Sequence, residues 1–107
     1  MNMDMLHRIS ETLLARRKAD PETSYTAQLL AKGPDAILKK IGEETAELIM
    51  AGKEGKRLNV VWESTDVIYH VLVLLAFYGL SIEDVSQEMR RREGISGIDE
   101  KKARSAK

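Results

Sequence analysis

The sequence predicts an all-α fold, a bundle of four to five helices in one domain spanning residues 1–107. Three observations predict it. Apolar residues recur at helical spacing through most of the 107-residue chain. Breaks fall at Asp20-Pro21, Gly33-Pro34, Gly52 to Gly55 and Gly79. The segments between those breaks are mostly too long for strands and carry no internal Pro.

Met5 to Arg17 forms the first helix, with Leu6, Ile9, Leu13 and Leu14 in one stripe flanked by Arg8, Glu11, Arg16 and Arg17. Asp20-Pro21 ends it, because proline disfavours helical geometry in the residue before it. Thr23 or Ser24 can cap a short helix through Tyr25, Leu29 and Leu30. Pro34 suits the first turn of the next helix, where the Asp35 charge is also favourable. That helix runs from about 34 to 51, with Ile37, Leu38, Ile41, Thr45, Leu48 and Ile49 on one side. After a short basic loop, a further helix from about Leu58 to Tyr78 carries most of the apolar mass and stops at Gly79. Asn59-Val60-Val61 and Val71-Leu72-Val73 have strand propensity, which the length of the segment overrides. Ser81 and Asp84 form a capping-box variant opening a helix from about Ile82 to Arg92. Residues 94–107, with Gly94, Gly97 and many charges, read as a mobile C-terminal tail.

Composition narrows the function. Hydrophobic residues make up 43% and charged residues 32%, and the formal net charge is +0. No global field favours nucleic acid or an anionic membrane, so neither is expected as a partner. The absence of cysteine excludes disulfides, thiolate metal sites and thiol chemistry. Met1-Asn2-Met3-Asp4 does not open a signal peptide. The longest apolar stretch, Val67 to Tyr78, contains His70 and is too short to span a bilayer. A cytoplasmic protein is expected. The helix from Leu58 to Tyr78 is apolar on nearly every side, more than so small a domain can cover alone, so a homodimer or higher homo-oligomer is expected.

Function is concentrated in two acidic clusters, Glu43-Glu44-x-x-Glu47 and Glu63-x-x-Asp66. At helical spacing, Glu47 lies about 40° and Glu44 about 100° from Glu43, with the apolar face centred near 180°. Glu44 therefore borders that face, and Lys40 shares the acidic flank. On the next helix Asn59, Glu63, Asp66 and His70 make a single polar line. Carboxylates beside an apolar core repel one another and resist desolvation unless a charge offsets them. A hard divalent cation such as Mg2+ does so with oxygen ligands, and two helices can hold it between them. Ion pairs to Arg8, Arg16 or Arg17 are the competing arrangement. Lys40 is the first candidate for a phosphate contact, with Lys53 and Arg57 in the following loop. Arg90, Arg91 and Arg92 read as solvated surface. Neither a Walker-type phosphate loop nor a dinucleotide fingerprint is present.

The pattern Glu43-Glu44-x-x-Glu47, fifteen intervening residues, then Glu63-x-x-Asp66 resembles the MazG-like superfamily of all-helical nucleoside triphosphate pyrophosphatases. Ser24-Tyr25-Thr26 with Leu29-Leu30, Lys40-Ile41-Gly42-Glu43-Glu44, Asp66-Val67-Ile68-Tyr69-His70 and Gly94-Ile95-Ser96-Gly97-Ile98-Asp99-Glu100-Lys101-Lys102 narrow it. Over Leu6 to Arg104 these segments resemble the phosphoribosyl-ATP pyrophosphatase family of histidine biosynthesis. Thr45 and Thr65 stand where that family often has alanine, which bears on packing alone.

The resemblance implies an ATP-like nucleotide substrate, phosphoribosyl-ATP, cleaved to phosphoribosyl-AMP and pyrophosphate. It also implies Mg2+ held by Glu43, Glu44, Glu47, Glu63 and Asp66. Such hydrolysis needs an aimed water, neutralised phosphate oxygens and a stabilised leaving group. Glu44 or Glu47 is the candidate general base, and Lys40 the candidate catalytic cation. Ser24-Tyr25-Thr26 can cap a helix or place Tyr25 against ribose or base, and His70 can orient a carboxylate or contact substrate. Two alternatives stay open: a pyrophosphatase for canonical or damaged (d)NTPs, and a non-enzymatic helical interaction module.

Overall fold

The computed structural model describes residues 4–105 and forms an all-α bundle. The N-terminal residues 1–3 read above, and the last two residues of the expected tail, lie outside the described residues. The described residues form six helices: α1 (Asp4–Arg16), α2 (Tyr25–Lys32), α3 (Pro34–Glu54), α4 (Arg57–Phe77), α5 (Ile82–Arg92) and α6 (Gly97–Ser105). The expected count of four to five falls short because the C-terminal segment, read from its glycines as tail, contains α6.

Local chemistry sets the boundaries. The Ser24 hydroxyl caps α2, accepting from the Ala27 N–H at 3.2 Å, and is itself held by Arg16 Nη1 at 3.0 Å. Pro34 opens α3, and Gly55, at φ +76°, closes it in the left-handed conformation. Gly79, at φ +73°, ends α4. Its N–H reaches the Ala76 carbonyl at 2.9 Å while the Leu80 N–H reaches Leu75 at 2.8 Å, the paired bonds of a Schellman motif. Ser81 and Asp84 form the capping box of α5. Ser10 ties that same end to α1 by accepting from the Ile82 N–H at 3.1 Å.

The core lies at one end of the molecule. Leu13, Leu29, Leu30, Ile37, Leu72, Val73, Ala76 and Ile82 form it, drawing α1, α2, the start of α3 and the end of α4 together. Truncating fully buried Ile37 or Val73 should therefore be costly, about 2–5 kcal/mol for Ile37→Ala. The antiparallel α3–α4 pair, the most extensive helix contact, continues beyond the core as an arm. On that arm Ile49, Met50, Leu58, Val61 and Trp62 are all more than half exposed. The radius of gyration, 15.8 Å, exceeds the about 13 Å of a compact chain of this length. By length and mean hydropathy α4 could cross a membrane. Its C-terminal half is instead built into the core, through Leu72, Val73 and Ala76, and acids stand at its middle.

α6 is attached by charge. Glu100 is buried, its Oε2 2.6 Å from Arg91 Nη2 and its Oε1 3.0 Å from Arg104 Nε. Glu88 completes the cluster by pairing Arg91 and Arg92 at 2.8 Å. Ile95 and Ile98 of the same segment are exposed, so little apolar burial supports α6. A nine-residue helix is marginal alone. Arg91 lowers the pKa of Glu100, and Arg91 and Arg92 hold that of Glu88 down to about 2. Both carboxylates titrate lower folded than unfolded. The pairs thus contribute fully above the ordinary 4.5 and are lost as pH falls through the folded values. Amide hydrogen exchange should show α6 losing protection progressively as pH falls from 4.5 toward about 2, in about 1 M salt, or in Glu100→Gln at neutral pH, while α3 and α4 stay protected.

Candidate metal centre

The seam between α3 and α4 carries the site. Glu44, Glu63 and Asp66 each present a carboxylate oxygen there, and the three oxygens lie within 4.8 Å of one another. The helical spacing explains why these three meet. Glu44, at the border of the apolar face of α3, is turned into the seam and is only 9% exposed. Glu43 and Glu47, farther round the helix, are exposed and stand outside this group. On α4, Glu63 is half-buried and Asp66 exposed, so the site grades from dry to wet.

Among the described residues, two buried atoms at this seam have no hydrogen-bond partner: Glu63 Oε2 and His70 Nε2. The His70 Nδ1–H donates to the Asp66 carbonyl at 2.7 Å, one turn back along α4, which leaves Nε2 open. Among the described residues no ion pair joins Arg8, Arg16 or Arg17 to Glu63 or Asp66, so the structural alternative to a cation is not formed. Three converging carboxylates, one with a buried oxygen lacking any donor, suit a hard divalent cation. The group fits.

Among the described residues, Lys40 is the one cation in ion-pair contact with this set. Its Nζ lies 3.4 Å from Glu44 Oε1 and 3.7 Å from Glu43 Oε2. Tyr25 raises the Lys40 pKa above the ordinary 10.5, burial opposes this, and Glu44 and Glu43 reinforce it. Tyr25 opens α2 and is half-exposed, with its neighbour Ser24 acting as the cap. Lys53 and Arg57 are exposed where α3 turns into α4 and are not in the acidic set. One contact was not legible from spacing. Thr26 Oγ1 and Tyr69 Oη are 2.6 Å apart, joining α2 to α4 across 43 positions. Tyr69 in turn meets the His70 ring edge-on at 5.5 Å. Only the placing of Thr26 beside Tyr25, and of Tyr69 beside His70, pointed to them.

A family model described as phosphoribosyl-ATP pyrophosphohydrolase matches residues 6–93. The chain belongs to the phosphoribosyl-ATP pyrophosphohydrolase family. A phosphoribosyl-ATP pyrophosphatase of Dechloromonas aromatica is 82% identical over 104 residues, covering 97% of this chain and 96% of the relative. Those of Aromatoleum aromaticum and Azoarcus sp. are 57% and 56% identical, covering 98% and 97% of this chain and 97% of each relative. The phosphoribosyl-ATP pyrophosphohydrolase match spans the whole of α2 to α5, including both acidic helices, and stops before α6.

Like charges this close are a cost in the absence of a cation. Glu63→Gln should therefore stabilise the fold in chelator by on the order of 1 kcal/mol and raise its melting temperature. The same change should remove any stabilisation that a divalent cation gives the wild type. Parallel thermal melts with and without chelator check both signs, and a lower melting temperature in chelator would assign Glu63 to a structural ion pair.

Proposed function

We propose that this chain is a Mg2+-dependent hydrolase that cleaves phosphoribosyl-ATP to phosphoribosyl-AMP and pyrophosphate in histidine biosynthesis, working in the cytoplasm as a homodimer. The observation that carries the reading is the convergence of Glu44, Glu63 and Asp66 in a chain of the phosphoribosyl-ATP pyrophosphohydrolase family. Glu44, Glu63 and Asp66 would hold the cation, with Glu43 one position away on the exposed flank. When bound, Mg2+ supplies neutralisation of phosphate oxygens and of the leaving pyrophosphate.

The remaining work falls to side chains. Glu47 lies one turn beyond Glu44, is exposed, and pairs with no cation among the described residues. A carboxylate not committed to metal is suited to take the proton of the attacking water, which favours Glu47 over Glu44 as general base. Lys40 contacts phosphate from the same flank. Lys53 and Arg57 reach the distal part of the substrate from the α3–α4 turn. Tyr25 lies against the ribose or base, and the open Nε2 of buried His70 offers a polar anchor beside Asp66.

The exposed apolar arm supports the homodimer. Leu58, Val61 and Trp62 lie on one stretch of α4, and an apolar groove lined by Leu6, Ile68, Val71, Leu75, Val85 and Met89 opens farther along it. A second copy packing helix against helix covers such a surface. Sedimentation should give a dimer, and Trp62→Glu should shift it to monomer.

Pyrophosphate release measured from phosphoribosyl-ATP and from a panel of (d)NTPs tests the substrate. Clear preference for phosphoribosyl-ATP is expected, and preference for a dNTP would overturn the reading. Glu63→Ala or Asp66→Ala should lower kcat by about 100-fold or more with helicity unchanged. Unchanged turnover would instead point to a non-enzymatic module.

A further inference from the structure

The contacts of Lys40 carry one step more. Its ammonium is the sole cation in ion-pair contact with the seam acids among the described residues. The two contacts, 3.4 Å and 3.7 Å, are longer than a well-formed charged hydrogen bond. The carboxylate it meets most closely, Glu44, is also the most buried member of the metal-holding set. The lysine head is a compact charge on a flexible stem, able to change partner without backbone movement.

We propose that Lys40 is a displaceable counter-ion: it neutralises Glu44 while the seam lacks a metal, is driven off when a divalent cation binds, and then pairs with a phosphate oxygen of the substrate. This inference rests on the metal reading above and deepens it. A monocation and a dication on the same carboxylate repel, so each lowers the occupancy of the other. Three carboxylates carry a formal charge of −3, which Lys40 alone cannot balance, so the dication wins at the seam. The freed ammonium then stands on the same flank where polyphosphate oxygens must lie to reach the cation. Metal loading would in this way prepare the anion contact, and the site would not offer its lysine to a polyphosphate before the metal is in place.

The signs distinguish this from an ordinary phosphate-binding lysine. Mn2+ is the probe, as a hard oxygen-seeking dication whose free form is counted by electron paramagnetic resonance. With full-length protein and no nucleotide, Lys40→Met should bind Mn2+ on the order of tenfold more tightly than wild type. Lys40→Arg, which keeps the charge, should return the affinity to within about threefold of wild type. In turnover, Lys40→Met should raise KM for phosphoribosyl-ATP although its metal affinity has risen. Unchanged or weaker Mn2+ binding in a folded Lys40→Met protein, or tightening in Lys40→Arg equal to that in Lys40→Met, would overturn the counter-ion role while leaving the metal centre standing. Failure of the wild type itself to bind Mn2+ would overturn the metal centre, and this inference with it.

Discussion

Three carboxylates brought within 4.8 Å at the edge of an apolar seam are the constraint on which the rest of the molecule turns. Like charges so placed oppose folding, and burial of Glu44 removes the water that would screen them. They are held there because α3 and α4 are each 21 residues long, antiparallel and stopped by well-formed glycine caps. The core at the far end fixes their register through Ile37, Leu72 and Val73. Stability is thus supplied at one end of the helix pair and used at the middle. The three carboxylates are rigidly placed, since they stand on helices and not on loops.

α4 shows the same division along its length. In its C-terminal half His70, Leu72, Val73 and Ala76 are buried, on the side packed against α1, α2 and α3. Its N-terminal half turns Leu58, Val61 and Trp62 outward. An amphipathic helix of a self-sufficient domain would have one polar face there, and this helix does not. The polar line on α4 carries the acids at the seam and leaves Leu58, Val61 and Trp62 exposed beside it.

Much of this arrangement was legible in the sequence, for identifiable reasons. Gly33-Pro34, Gly79 and the Ser81–Asp84 pair act through local geometry alone, and each appears where spacing placed it. The helical wheel of α3 put Glu44 at the border of the apolar face, and Glu44 is the member of its cluster that is buried. The same wheel kept Glu43 and Glu47 on one flank with Glu44, and the five acids were expected as one set, whereas only Glu44, Glu63 and Asp66 converge. What spacing could not reveal were contacts between distant segments. The Thr26–Tyr69 bond joins residues 43 positions apart, and nothing local marks either as the other's partner. Glu100 is the clearest case. In a charged, glycine-flanked segment it read as part of a tail, yet it is buried because arginines of α5 meet it. A charge pattern alone does not say which charges face each other.

The central claim is that the seam holds a divalent cation through Glu44, Glu63 and Asp66. Its most direct measurement is anomalous diffraction from crystals grown with Mn2+. The account predicts a peak within coordination distance of one oxygen from each of the three carboxylates, with the Lys40 ammonium moved off Glu44. Mn2+ bound only at exposed acids such as Glu43 and Glu47, or a seam closed by ion pairs with no peak, would contradict it.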